Sequence, residues 1–416
     1  MEGFNLMAQS KEEIRAVERK NSDNKWVIVF SITVIVMLVV AAYFFVKDRE
    51  YSINGSDDVS VEANELLTHG EGWLARHVNE DGSFVYLYDP EERDKVYNKN
   101  NMIRQLLAAR VVAQFCAGGD DKFCEIHRGN IKFFFDNLYR EEEVDGKTIG
   151  YMIFREKSKL GVNALMVRLL MQSPFFEEYK YQAERLVRGI ELLQNNDGSF
   201  EPWYIEPGYS YNKDYILTFY SGEAILALME YYEKTGDEEV YKVAEKSQNY
   251  YLREYVQFMK VNFYPAYVPW HTFSLAKFYD KTKDIKYARA IFILNDELLK
   301  IQDTYDQVGR FYDSYHPEYG KPHSASDGVY VESLVVAYGI AKSVGDEKHQ
   351  KFYYKRIKIA IDNLASLQYC NIKEETKGVK EEDCGGMKTK EGSTSVRVDN
   401  VAHMLDAMLK VEEISE

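Results

Sequence analysis

The chain reads as an all-α protein, an (α/α)6 toroid of about twelve helices preceded by one N-terminal transmembrane helix. Three observations predict it. From Val61 onward apolar residues recur every three or four positions, the period of a helix with one buried face. The connections between these helices are alternately short and long. One turn recurs in similar surroundings. Asp81-Gly82-Ser83-Phe84 is followed by Tyr86, Tyr88 and Tyr97-Asn98-Lys99 before a helix. Asp197-Gly198-Ser199-Phe200 is followed by Trp203, Tyr204, Glu206, Tyr209 and Tyr211-Asn212-Lys213 before another. A recurring unit is the mark of a repeat architecture.

Residues 1–25 form a polar tail. Trp26 to Val46 is then an uncharged apolar run of about 20 residues, long enough as a helix to cross a bilayer. It ends in Tyr43-Phe44-Phe45-Val46 rather than in a small-residue cleavage site, which predicts an uncleaved signal anchor. Lys11, Arg15, Arg19, Lys20 and Lys25 precede the span and only Lys47 and Arg49 follow it closely. The positive-inside rule therefore expects a cytoplasmic N-terminus, a lipid bilayer around residues 26–46, a linker over 47–60 and an extracytoplasmic domain over 61–416.

Four cysteines fit that compartment. Cys116 and Cys124 flank a tight turn, and Cys370 and Cys384 bracket the last loop, so two local disulfides are expected among three possible connectivities. With 416 residues, 45% of them hydrophobic, the chain buries a large core. A net charge of −15 without a Lys/Arg-rich stripe excludes a nucleic-acid partner. Thirty-three tyrosines and 22 phenylalanines serve mainly as core, though aromatic rings also stack on flat ligand faces.

The expected helices are Val61 to Val78, Asn101 to Cys116, Lys122 to Leu138, Lys159 to Met171, Phe176 to Leu193, Leu217 to Tyr232, Glu239 to Tyr255, Pro269 to Tyr279, Asp284 to Ile301, Gly328 to Ser343, Glu347 to Gln368 and Val398 to Leu409. Short connections such as Thr235-Gly236-Asp237 and Gly345-Asp346 place an Asp where an N-cap is needed. Every second helix instead follows a long loop, so six hairpins with all long loops at one end describe a closed ring. An open superhelix is the competing arrangement, but its connections are short at both ends.

In such a ring the first turns of the six inner helices converge beneath the long loops. They bring Arg104, Glu223, Trp270, His271, Asp327, Glu332, Asp399 and His403, and the loops add Trp203, Tyr211, Tyr315 and His316. Each also has an ordinary reading. Asp327 and Asp399 stand where N-caps stand, Glu223 suits the positive end of a helix, and Arg104 suits a carboxylate partner. Asp399 and His403, four apart, suit a metal pair, but no third ligand follows at a recognisable spacing, so no metal or other cofactor is expected.

This mixture suits a saccharide, whose apolar face stacks on Trp or Tyr and whose hydroxyls need Asp, Glu, Asn, Arg and His. Glu223, Asp327 and Asp399 are the candidate catalytic carboxylates for hydrolysis. Arg104, Trp203, Tyr211, Trp270, His271, Tyr315, His316, Glu332 and His403 are the candidate binding residues. A uronate lyase or C5-epimerase would instead use Tyr, His or Glu as acid and base, with Arg104 on the carboxylate. A non-catalytic glycan- or protein-binding ring is the further alternative.

From Val61 to Leu409 the organisation resembles the (α/α)-toroid superfamily of six-hairpin glycosidases, polysaccharide lyases, glucuronyl C5-epimerases and terpenoid cyclases. Gln194-Asn195-Asn196-Asp197-Gly198-Ser199-Phe200 is similar to the Gln…Asp-Gly-Ser-Trp repeat of squalene-type cyclases, with Phe in place of Trp. Their Asp-x-Asp-Asp acid motif is absent. The resemblance implies the fold; the residues at the mouth lead to the expectation of a glycoside hydrolase-like enzyme acting on a surface or extracellular polysaccharide.

Overall fold

In the computed structural model, the described residues are Met37 and 59–92, 99–371 and 379–415. The expected cytoplasmic tail and membrane span lie outside them apart from Met37, as do Tyr97 and Asn98 of the first repeat. Among the described residues no helix is long and apolar enough to cross a membrane.

Among the described residues twelve long helices follow the predicted order: α1 (Val59–Arg76), α2 (Met102–Ala117), α3 (Asp121–Leu138), α4 (Leu160–Gln172), α5 (Lys180–Leu192), α6 (Lys213–Thr235), α7 (Glu238–Leu252), α8 (Tyr267–Thr282), α9 (Ile285–Leu298), α10 (Ser324–Val344), α11 (Glu347–Leu367) and α12 (Val398–Ser415). Asp120, Asp237, Asp284 and Asp346 cap α3, α7, α9 and α11 by accepting backbone N–H groups.

The even-numbered helices form the inner ring. Each packs on the next, and α12 returns to α2, which closes the toroid. Helices α3, α5, α7, α9 and α11 each pack outside the inner helix before them. The sixth outer place belongs to α1, which packs on α12, so the last hairpin joins the two ends of the domain. Glycines permit close approach along the inner ring: a Cβ on Gly161 of α4 would stand 2.5 Å from Glu223 of α6, and one on Gly222 of α6 would stand 2.6 Å from Trp270 of α8.

The long loops touch one another. Strand β1 (Leu87–Tyr88) pairs antiparallel with β6 (Val396–Arg397), and β4 (Ser158–Lys159) pairs with β5 (Trp203–Ile205). These pairings hold the loops before α2, α4, α6 and α12 at one end of the ring. Strands β2 (Tyr139–Val144) and β3 (Lys147–Met152) form a hairpin where the sequence reading expects only loop. Its signal is Asp145-Gly146, both at positive φ, the turn that matches the twist of two antiparallel strands.

The repeated turn fastens these loops to the outer ring. In both copies the aspartate accepts from the serine N–H and hydroxyl, and the phenylalanine ring is buried. Gly198 sits at φ +96° with the α7 carbonyl of Lys246 only 2.6 Å from where its Cβ would be, so no other residue fits. Gly82 meets Gly129 of α3 in the same way, and two diverged copies, at Gly309 and Gly385, meet α11 and α1. Both expected disulfides are formed, Cys116 with Cys124 and Cys370 with Cys384.

Candidate active site at the mouth of the ring

Two layers of side chains cross the axis of the toroid. The lower layer is closed by ion pairs: Arg110 of α2 with Asp406 of α12 at 3.3 Å, Arg168 of α4 with Glu230 of α6 at 3.0 Å, and Lys410 of α12 with Glu332 of α10 at 3.4 Å. Burial alone would raise the carboxyls, but the nearby guanidinium groups hold Asp406 and Glu230 below the usual carboxylate range. Charge is therefore matched by charge in this layer.

The upper layer lies nearer the long loops: Glu223 and Asp399 stand seven residues, about two helical turns, before Glu230 and Asp406, while His403 stands one turn before Asp406 and reaches the lower carboxylates. There the matching stops. Glu223, His271, His403, Asn400, Ser324, His323 and Trp203 each keep a buried polar atom without a protein partner. An unsatisfied buried group costs about 1–3 kcal/mol; the lower layer leaves Arg110 Nε and Arg168 Nη1 unpartnered but sets each guanidinium against a carboxylate, whereas Glu223 has no cation paired with it among the described residues.

Glu223 is 2% exposed and faces Tyr220 and Gly161. Burial pushes its carboxyl up to about 8 against partial relief from Arg168, Arg110 and Lys159, so at pH 7 it is a neutral acid. Asp399 stands on α12, opposite α6 in the ring. Arg397 and Arg104 both pair with it, and they hold it below its ordinary value although burial opposes them. Arg104 also donates to the Tyr86 hydroxyl and keeps 31% of its side chain exposed, so Asp399 and Tyr86 aim a guanidinium into the mouth.

Three histidines of this region are neutral. Burial lowers His271 to about 3 and His323 and His403 to about 4. The Ser221 hydroxyl donates to the Leu217 carbonyl and so accepts from His271 Nε2 at 3.0 Å, leaving Nδ1 a bare acceptor. His323 Nδ1 accepts from the Ala325 N–H as the N-cap of α10, which puts the proton on its unpaired Nε2. The His403 ring lies 6.2 Å from that of Trp270, reached across from α8.

Several expectations change here. Helix α6 begins at Lys213 rather than Leu217, so Glu223 is three turns inside it and gains nothing from its N-terminus. Neither Asp327 nor Asp399 is an N-cap. Asp327 accepts from the Phe311 N–H and from Asn363 of α11 and lines a cavity of about 520 Å³ between α10 and α11, which gives it a loop-holding role. Burial raises it to about 7. Glu332 belongs to the lower layer with Lys410. Tyr315 is 91% exposed, and His316 pairs with Glu318 at the surface. Trp203 and Trp270 are buried walls rather than open platforms; Tyr211 packs edge-on against Trp203 at 5.4 Å.

Glu332, His403 and Asp406 offer three ligand atoms within 4.8 Å of one another, a metal-like set that the sequence spacing did not reveal. Lys410 and Arg110 each pair with one of the two carboxylates; Asp406 is held below its ordinary value, but burial still raises Glu332 despite Lys410. Lys159 and Tyr220 were also missed as site residues. Lys159 carried a signal, since a lysine at the N-cap of α4 makes no capping bond where Ser, Thr, Asp or Asn would. Beside the mouth, Tyr215, Tyr250, Tyr255 and Tyr264 line an aromatic cleft of about 690 Å³.

Known structures share this architecture. A GH76 α-mannanase of Bacteroides thetaiotaomicron superposes with a TM-score of 0.59 and 14% identity, over 86% of this chain and 97% of its own. A D-mannose isomerase gives 0.59 and 12%, over 84% and 97%. An unsaturated glucuronyl hydrolase specific for heparin gives 0.58 and 11%, over 86% and 98%. No family model matches the sequence, and no curated protein does. At these identities the likeness is one of fold, the (α/α)6 toroid, on which sites of different chemistry are built.

Proposed function

We propose that this protein is a membrane-tethered, extracytoplasmic enzyme that hydrolyses a glycosidic bond in a surface or extracellular polysaccharide, with Glu223 as the proton donor. The observation that carries the reading is the contrast between the two axial layers: in one, each carboxylate faces a cation, while the ring facing the loops keeps a neutral acid and three neutral imidazoles. Sugar hydroxyls are both donors and acceptors and satisfy such a layer. A neutral carboxylic acid in a low-dielectric site can protonate a leaving oxygen at pH 7. His403, opposite Glu223, is the base for an attacking water, and Arg104 directs the sugar. The saccharide-acting neighbours support the substrate class. The apolar run over 26–46, the charge bias around it and the two disulfides support the tether and the compartment.

The test is chromatography of products from full-length protein incubated with neutral and acidic oligosaccharides. Hydrolysis products are expected, and Glu223→Gln is expected to cut their formation by at least about a hundredfold while the variant stays folded. Unchanged turnover in that variant removes Glu223 from the mechanism.

A second reading has its own observation. His323 and His403, both neutral and both with a free ring nitrogen near Asp399, suit proton transfer at a sugar carbon, and a mannose isomerase shares the fold. The same chromatograms separate it: an isomerised sugar of unchanged mass in place of shorter products.

A further inference from the structure

A smaller pocket opens beside the mouth, between the start of α2 and the loop that carries β4. It measures about 110 Å³, and its polar lining is Asn100, Asn101, Arg155, Lys157 and Lys159; the rest is apolar and no acidic side chain contributes. The chain has 67 acidic residues against 52 basic ones, so composition does not explain a wall of three cations without a carboxylate. Lys157 donates to the Tyr209 hydroxyl at 3.3 Å, Lys159 lies over the Trp203 ring and Arg155 over the Phe154 ring. Among the described residues none of the three forms an ion pair. Helices α2 and α4 both begin at this pocket, with Asn101 and Lys159 at their caps, and each adds the partial positive charge of its first N–H groups.

We infer that this pocket is an anion subsite, which takes the carboxylate of a uronic-acid unit, or a sulfate ester in its place, on the saccharide held at the mouth. The inference rests on the reading of the mouth as a saccharide site, because Lys159 of this pocket interacts electrostatically with Glu223 and Arg104 of the mouth. Burial, then Lys157 and Arg104, lower Lys159 to about 8, the opposite of what a carboxylate partner does, so a bound anion relieves an existing repulsion.

The experiment is titration calorimetry of full-length protein with two oligosaccharides of equal length, one neutral and one carrying a uronate, and separately with sodium sulfate. The acidic sugar is expected to bind roughly tenfold more tightly than the neutral one at low salt. Lys157→Gln with Arg155→Gln should remove that preference and leave neutral-sugar affinity within about twofold, since both residues line the small pocket and neither is assigned to the mouth. Arg155→Gln, on an exposed loop position, is the second variant and should weaken the preference alone. Equal binding of both sugars by the parent protein overturns the inference and leaves the saccharide site standing. Binding of neither sugar overturns both. Sulfate binding as tight as that of the acidic sugar marks a free-anion site and also overturns it.

Discussion

Replacing Glu223 by glutamine is expected to stabilise the protein while it cuts turnover by at least about a hundredfold, and the gain should depend on pH. The carboxyl has its ordinary value of 4.5 in the unfolded chain and is raised to about 8 in the fold. Below pH 4.5 both states carry the proton and folding costs nothing extra. As pH rises, the unfolded chain releases its proton while the fold retains it, so stability falls progressively until the pH passes the folded value of about 8. Linkage puts the penalty near 1 kcal/mol at pH 5 and about 3 kcal/mol at pH 7. Glutamine has no proton to release and keeps the shape, and Oε2 has no protein partner to lose. Thermal unfolding of parent and variant at pH 5 and pH 7 measures the difference. The variant should melt higher at pH 7 by several degrees and nearly level at pH 5. A difference that does not change with pH would mean that Glu223 is ionised in the fold, and the proton-donor assignment would be lost with it.

Three other outcomes follow from the same geometry. Glu230→Ala should destabilise by about 3–5 kcal/mol, because it leaves the Arg168 guanidinium buried and unpaired; Arg168→Met with Glu230→Met should recover most of that loss in denaturant titrations. Gly198→Ala should lower stability by roughly 2 kcal/mol or more through strain against the Lys246 carbonyl, whereas Gly236→Ala, at φ +74° with open space around it, should cost nearer about 1 kcal/mol. Asp399→Asn should free Arg104 and raise KM more than it lowers kcat. It should also remove a contribution to stability that in the parent is present above the ordinary aspartate value of 3.8 and is lost as pH falls through the depressed folded value.

The helices were legible because each buries a stripe, and the stripe repeats at the helical period. The hairpin ends were legible because Asp120, Asp237, Asp284 and Asp346 cap by local chemistry. Ring closure could be argued from loop length alone, but the pairing of α1 with α12 could not, since it depends on where the chain ends meet. The repeated Asp-Gly-Ser-Phe turn was visible as a pattern and opaque as a purpose; only its contact with the next outer helix explains why glycine is required. Polar groups near helix starts are a broad signal: they include Arg104, His403 and Asp399, which the fold brings to the upper layer, but also Glu332, whose partner Lys410 lies on another helix, and Asp327, which turns outward to Asn363. Residue type could not separate a charge matched across the axis from one left unmatched, because the partners are far apart in sequence. Lys159 was readable as an odd N-cap, but its part in the mouth depends on β4 pairing with β5.

The claim at the centre of this account is that the unpaired upper layer receives a saccharide. The direct measurement is the structure of the Glu223→Gln variant, folded and slow, with an oligosaccharide that the parent protein cleaves. The account predicts a sugar ring between α6 and α12, in contact with residue 223, His403 and Arg104. A saccharide bound only in the tyrosine-lined cleft, with the upper layer unchanged, would contradict it.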